Sequence, residues 1–257
     1  MIKIKSPREV ELMREAGRIT ALIHESVAKE IKVGVSLNQL NNIVKEVVEA
    51  NDSSASFYKL YDFPGYGCFS LNEELIHGIP DQRVLKDGDI LSLDVGACYK
   101  GYHGDSAWTY PVGEVSEEAK DLLKRTKESL FKGLEQVKPG NRTGDIGHAI
   151  QSYLAKYGYD VPHEYTGHGV GSEVHEKPYV PNYGRPNTGV KLREGMTIAI
   201  EPMAYSKGSK LEVLDDDWTV VTTDGALTAH FEHTVVVTKD GYEILTKNTK
   251  EDHTPDE

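Results

Sequence analysis

An α+β fold, with two similar halves packed around one curved sheet, is the architecture that the sequence predicts. Three observations carry it. Two capped amphipathic helices open the chain; strand-like segments follow them to about residue 112; and the same order, two helices and then strands, recurs over about 113–247. The halves share this order and no close sequence repeat, and a site is expected where they meet. Residues 1–247 are read as one domain, with pseudo-halves at about 1–112 and 113–247, and residues 248–257 as a polar, acidic tail that frays.

Ser6-Pro-Arg-Glu9 is a helix start. Ser6 caps, Pro7 suits the first helical position, and Glu9 closes a capping box. Apolar residues then recur at helical spacing through Val10, Met13, Ala16, Ile19 and Ile23. Ser36-Leu-Asn-Gln39 repeats the capping signal, with Leu40, Ile43, Val44 and Val47 as the apolar stripe. Residues 55–80, rich in glycine, proline and aromatics, read as strand fragments and loop, a place for a binding wall. From Ile90 to Cys98 the chain alternates as a strand: Leu91, Leu93 and Val95 face one side, and Ser92, Asp94 and Gly96 the other. A turn at Lys100-Gly101 leads to a second strand, Tyr102 to Pro111. Ser116–Val137 and Thr143–Tyr157 are helices, the second stopped by Gly158. Strands are expected at Thr197–Glu201, Trp218–Thr222 and His230–Thr238.

Composition narrows the function. With 38% apolar and 27% charged residues the chain is an ordinary globular one, not a disordered one. A net charge of −12 disfavours phosphate backbones and anionic membranes, so no nucleic acid is expected as the main partner. Cys68 and Cys98 are the only cysteines, which points to a reducing compartment rather than a disulfide scaffold. The first residues lack the apolar core of a signal peptide, and no apolar run approaches the roughly 20 residues that span a bilayer. The expected address is the cytoplasm.

Several catalytic motifs are absent. There is no Gly-x-Ser-x-Gly elbow. Gly184 to Gly189 has P-loop spacing, but Val190-Lys191 replaces the required Lys-Ser/Thr pair. His163-Glu164 with His168 misses the zincin spacing by one residue, and Pro162 and Gly167 oppose the helix that motif needs. What remains is a scattered set: Asp94 in mid-strand, Asp105 on the next strand, His168 between glycines, Glu201 at the end of an apolar strand, and Glu232 before a β-branched run. Singly, each reads as a hydrogen-bonded or solvated structural residue sooner than as a ligand. Together, four carboxylates at strand positions and one histidine suggest a hard-metal site. Two carboxylates 4 Å apart repel by about 4 kcal/mol at an effective dielectric of 20. Four converging without a counter-charge would protonate or splay; two divalent cations balance them.

Asp94 and Asp105, then Thr166-Gly-His-Gly-Val-Gly171, Glu194-Gly-Met-Thr-Ile-Ala-Ile-Glu-Pro202 and Glu232-His-Thr resemble the full signature of the methionine aminopeptidases. Asn72-Glu-Glu-Leu-Ile-His-Gly-Ile-Pro80 adds a further block, and the likeness runs from the first helix to about Leu245. It implies the pita-bread α/β fold, with a curved antiparallel sheet. The short interval between His168 and Glu201 leaves no room for the insertion of the type 2 branch, so the chain resembles the bacterial-style type 1 branch.

The resemblance implies two divalent metal ions, with Asp94 on the second, Asp105 and Glu232 bridging both, and His168 and Glu201 completing the first. Oxygen-rich ligation with one imidazole suits Mn, Fe or Co. It implies a metal-bridging hydroxide as the nucleophile, Glu201 as proton acceptor, and His175 and His77 as supporting groups against the substrate. Phe63, Cys68, His77 and Trp218 match positions lining the methionine pocket, and Tyr61 aligns loosely. The implied reaction is removal of the initiator methionine from nascent polypeptides when the second residue is small, by an enzyme expected to be monomeric and with the ribosome as a candidate partner. Val174 is smaller than the aromatic of some relatives, and His230 stands where glutamine is common. The rivals are a proline-specific pita-bread peptidase, which usually carries an extra N-terminal domain, and a binding module of the same fold, which typically loses ligands.

Overall fold

The structure, a computed structural model, describes residues 2–247. The expected 248–257 tail lies outside the described residues. In chain order the elements are α1 (Pro7–Ala28), α2 (Leu37–Ala50), β1 (Ser54–Ala55), a 3-10 turn at Leu60–Asp62, β2 (Cys68–Leu71), β3 (Glu74–Ile76), β4 (Ile90–Tyr99) and β5 (Tyr102–Pro111). Then follow α3 (Glu117–Leu134), α4 (Thr143–Ala155), β6 (Tyr159–Asp160), β7 (Gly167–Gly169), β8 (Glu176–Val180), β9 (Thr197–Ile200) and β10 (Met203–Ser206). The last strands are β11 (Leu211–Val213), β12 (Val220–Thr222), β13 (Thr228–His230), β14 (His233–Val237) and β15 (Tyr242–Ile244).

The helix starts form as their residues dictate. Ser6 with Glu9, and Ser36 with Gln39, make reciprocal capping boxes. Each satisfies two N–H groups that a helix start leaves unpaired. In α1, Met13, Ile19 and Ile23 are fully buried, each contributing roughly 1.5–3 kcal/mol by leaving water. The stripe of α2 is narrower than its periodicity suggests. Leu37, Leu40, Val44 and Val48 are buried, while Ile43 and Val47 are half-buried at its margin. Gly158 has φ of +83° just past α4, which suits a residue without a Cβ.

Every strand pairing is antiparallel, divided among four ladders: β1-β4-β2 with β5 beside β4, β13-β10-β6, β11-β12-β3, and β15-β14-β9-β7-β8. α1 packs on β4 and β5, and α3 and α4 pack on each other, with α3 against β13, β10 and β9. One core cluster runs through both groups, from Ile19 to Val237.

The strand expected over residues 230–238 is broken. β13 ends at His230 and pairs with β10, β14 begins at His233 and pairs with β9, and Phe231-Glu232 steps between the two ladders. Here β5 meets this step through hydroxyls. Thr109 Oγ1 accepts from His230 N at 2.8 Å and donates to His230 O at 2.9 Å; Thr234 Oγ1 accepts from Asp105 N at 3.0 Å and donates to Asp105 O at 2.8 Å. Glu232 N donates to Ala107 O at 2.8 Å. A short hydroxyl that both accepts and donates satisfies backbone groups that a regular ladder does not reach. Asp105 and Glu232 both sit on this seam.

Candidate metal and peptidase site

The β4–β5 hairpin sets the first pair of carboxylates. Lys100 and Gly101, both at positive φ, form its two-residue turn, and the register from Tyr99↔Tyr102 runs to Ile90↔Pro111. Asp94 therefore opposes Ala107, and Asp105 opposes Gly96. Side chains two apart share a face, so the two aspartates lie diagonally on one face of the sheet. β2 places Cys68 opposite Asp94 on that same face.

The second half brings the other three. His168 lies on β7, held between β8 and β9. Its flanking glycines are there for space. A Cβ on Gly167 would lie 2.4 Å from the Ala199 carbonyl oxygen, and one on Gly169 would lie 2.5 Å from that of Lys177. β9 and β14 pair up to Ile200↔His233. Just beyond that last pair, Glu201 follows Ile200 and Glu232 precedes His233, close enough for each carboxylate to act on the other.

These five side chains converge. Ligand atoms of Asp105, His168 and Glu232 lie within 4.8 Å of one another. His168 Nε2 is 3.3 Å from a Glu201 oxygen and 3.8 Å from an Asp105 oxygen. Its Nδ1 must donate to the Gly169 carbonyl, 3.0 Å away. Burial, with the nearby His175 charge, lowers His168 to about 4, so at neutral pH Nε2 turns a bare lone pair toward the carboxylates. Burial and repulsion from Asp105 push Asp94, Glu201 and Glu232 well above the ordinary carboxylate range; burial pushes Asp105 up to about 7. Asp94 Oδ1, Asp105 Oδ1 and Glu232 Oε1 are shut off from solvent, with no hydrogen-bond partner among the described residues. Such orphaned acceptors are costly unless something positive sits among them. Divalent cations fit this donor set of carboxylates and one imidazole.

A cavity of about 550 Å³ opens over the cluster. The five residues above, His77 and His175, and Phe63, Cys68, Trp218 and Tyr61 all line it. On one side, Phe57, Phe63, Cys68 and Val174 form a buried apolar group, with Leu60, Ile79 and Trp218 packed against it. Trp218 meets Phe63 edge-on at 5.0 Å and His77 at 6.2 Å. His77 takes a left-handed backbone, φ +59°, just past β3. Burial first, and then the neighbouring His175 charge, lower it to about 4, so it is neutral at pH 7. His175 is exposed at the mouth, its ring 4.5 Å from that of His168 and stacked on Tyr61 at 6.2 Å. Tyr61 is 71% exposed, so it edges the mouth rather than lining the interior.

Phe57 and Glu176 went unread in the sequence as neighbours of the site, while Val174 and His230 stood there only as departures from relatives. Val174 belongs to the apolar wall, alongside Phe57. His230 is buried, with Nε2 3.7 Å from Glu201 and 4.0 Å from Glu232; that Nε2 has no hydrogen-bond partner among the described residues. Its place two residues before Glu232 was the available signal. Glu176, next to His175, is buried and salt-bridged to the equally buried Lys5 at 2.6 Å. It also accepts from Ser172 N, which ties the His175 loop to the first residues of the chain.

Known proteins resemble the chain over most of its length. Residues 11–239 match the model of metallopeptidase family M24. The chain is 52% identical to methionine aminopeptidase 1 of Bacillus subtilis over 247 residues, covering 96% of this chain and 100% of that protein. A crystal structure of methionine aminopeptidase from Thermotoga maritima superposes with a TM-score of 0.94 at 46% identity, covering 96% and 100% of the two chains. The prolidase of Pyrococcus horikoshii is more distant, with a TM-score of 0.78 at 27% identity, and only 64% of that chain is covered.

Proposed function

The chain belongs to metallopeptidase family M24, among its methionine aminopeptidases, and from that premise we propose that Asp94, Asp105, His168, Glu201 and Glu232 together hold two divalent ions, Asp105 and Glu232 being shared between them. The enzyme is a metallo-exopeptidase that releases N-terminal methionine. The observation behind the assignment is the buried cluster of orphaned carboxylate oxygens facing the bare His168 Nε2. Manganese, iron or cobalt suits the donors. Bound divalent ions supply an acidified water near neutral pH and polarise the scissile carbonyl.

The chain's own residues do the rest. The Phe63–Cys68–Trp218 wall offers dispersion contacts to a thioether side chain. His77 and His175 hydrogen-bond the peptide at the scissile bond. Glu201, beside His168 Nε2, takes the proton from the attacking water. The substrates we infer are nascent polypeptides with a small second residue, met in the cytoplasm by a monomeric enzyme, with the ribosome as a docking partner. No helix of the described residues is long and apolar enough to cross a membrane.

Methionine release from Met-X-Ser peptides tests this reading. Alanine or glycine as X should be cleaved, and lysine or phenylalanine cleaved about 10²-fold more slowly, because a bulky group against the His175 loop shifts the scissile carbonyl by about 1 Å. Equal specificity constants for alanine and lysine, or preferred cleavage of non-methionine residues before proline, would sink it.

Metal removal should also make stability depend on pH in a definite direction. The four carboxyls titrate higher in the folded metal-free chain than their ordinary values, Asp105 at about 7. The metal-free fold therefore holds carboxyl protons that the unfolded chain has lost. Below about 6.5 the lowered histidines His77, His168 and His230 oppose this effect, because the unfolded chain protonates them and the fold does not. Across the window from about 6.5 upward they are neutral in both states, and the metal-free fold, still holding more carboxyl protons than the unfolded chain, loses stability as pH rises. The gap in Tm between manganese-loaded and chelated protein should widen across that window. A gap that narrows as pH rises would contradict the cluster's role.

A further inference from the structure

A second groove, of about 680 Å³, lies beside the site and shares two wall residues with it, Glu164 and Tyr165. Two ladders connect the places. β11-β12-β3 has β11 at the groove, and β3 runs directly into His77. β13-β10-β6 has β6 at the groove, and β13 ends in His230. At the groove, then, both ladders end in edge strands. An edge strand offers unpaired N–H and C=O groups along its outer side, which an extended peptide can use. Val213 at the lip is 52% exposed.

The groove is acidic. Asp160, Glu164 and Glu212 line it, against the single cation Lys210. Among the described residues none of the three carboxylates has a cationic side chain within salt-bridge range. Tyr165 stands between the two spaces, its ring meeting His77 edge-on at 6.0 Å. Tyr165 and Glu164 thus join the space beside His77 to this groove.

We propose that the groove between β6 and β11 binds the third to sixth residues of the substrate polypeptide and favours basic side chains there. This rests on the methionine-peptidase reading above and extends it from the first two residues to the following segment. The enzyme would then select substrates by charge downstream of the cut as well as by size beside it.

The test compares two hexapeptides, Met-Ala-Ser-Lys-Lys-Ser and Met-Ala-Ser-Glu-Glu-Ser, with manganese-loaded enzyme at low salt and at high salt. Exposed ion pairs are individually weak and screened by salt. The lysine peptide should have a kcat/KM about 3- to 10-fold higher at low salt, mostly through KM, with the ratio falling toward one at high salt. In Glu212→Lys, an exposed position, the low-salt ratio should fall or invert. Methionine release from both peptides at equal rates, a preference for glutamate, or a lysine preference that neither salt nor Glu212→Lys reduces would overturn the groove assignment while leaving the peptidase reading intact. Release from neither peptide would overturn both.

Discussion

Asp105→Asn should abolish methionine release while leaving the chain folded. Asp105 sits where β5 meets the step before β14, and its carboxylate faces His168, Glu201 and Glu232. The amide keeps the shape of the carboxyl but not its charge, and a shared ligand without charge holds neither ion firmly. Transition-state stabilisation by bound divalent ions is worth several kcal/mol, so turnover should fall by roughly 10³-fold or more. The metal-free variant should be as stable as the metal-free wild type or more so, since burial already favours a neutral group at this position and the amide removes one repulsion. Turnover, bound metal and Tm measured on the same preparation check this. A folded variant with near-normal turnover would show that Asp105 is not a shared ligand.

His175→Ala should reduce turnover by roughly 10²–10³-fold with little effect on the binding of a methionine-like product. His175 is exposed at the cavity mouth, so its removal costs little packing. The β7–β8 loop nonetheless holds it 4.5 Å from the His168 ring, and Glu176 and Lys5 anchor that loop. A donor aimed at charge that appears only in the transition state affects the chemical step selectively. Steady-state kinetics with Met-Ala-Ser, together with methionine inhibition, separate the two effects. An unchanged kcat with a raised KM would make His175 a substrate anchor instead.

Legibility in the sequence followed the range of the interactions. The starts of α1 and α2 were readable because a capping box is closed within four residues, as Ser6 and Glu9 show. The β4–β5 hairpin was readable from alternation and from Lys100-Gly101, and its register already fixes Asp94 and Asp105 on one face. His168 was readable because two backbones press on its flanking glycines. The three-residue strands β7, β11 and β13 are too short to show a period, and nothing local marks the break at Phe231-Glu232, which arises because β13 and β14 join different ladders. Phe57 and Val174 meet across more than a hundred residues, a packing choice made by the fold as a whole. The approach of His230 to Glu201 depends likewise on the pairing of β10 with β13.

The claim that one cluster holds two divalent ions is tested most directly by anomalous scattering from crystals of the manganese-loaded protein. Two manganese peaks are expected in the cavity, both ligated by Asp105 and Glu232, one reached also by Asp94 and the other by His168 and Glu201. Full manganese occupancy elsewhere on the chain, with these five side chains ligating none of it in an active preparation, would contradict it.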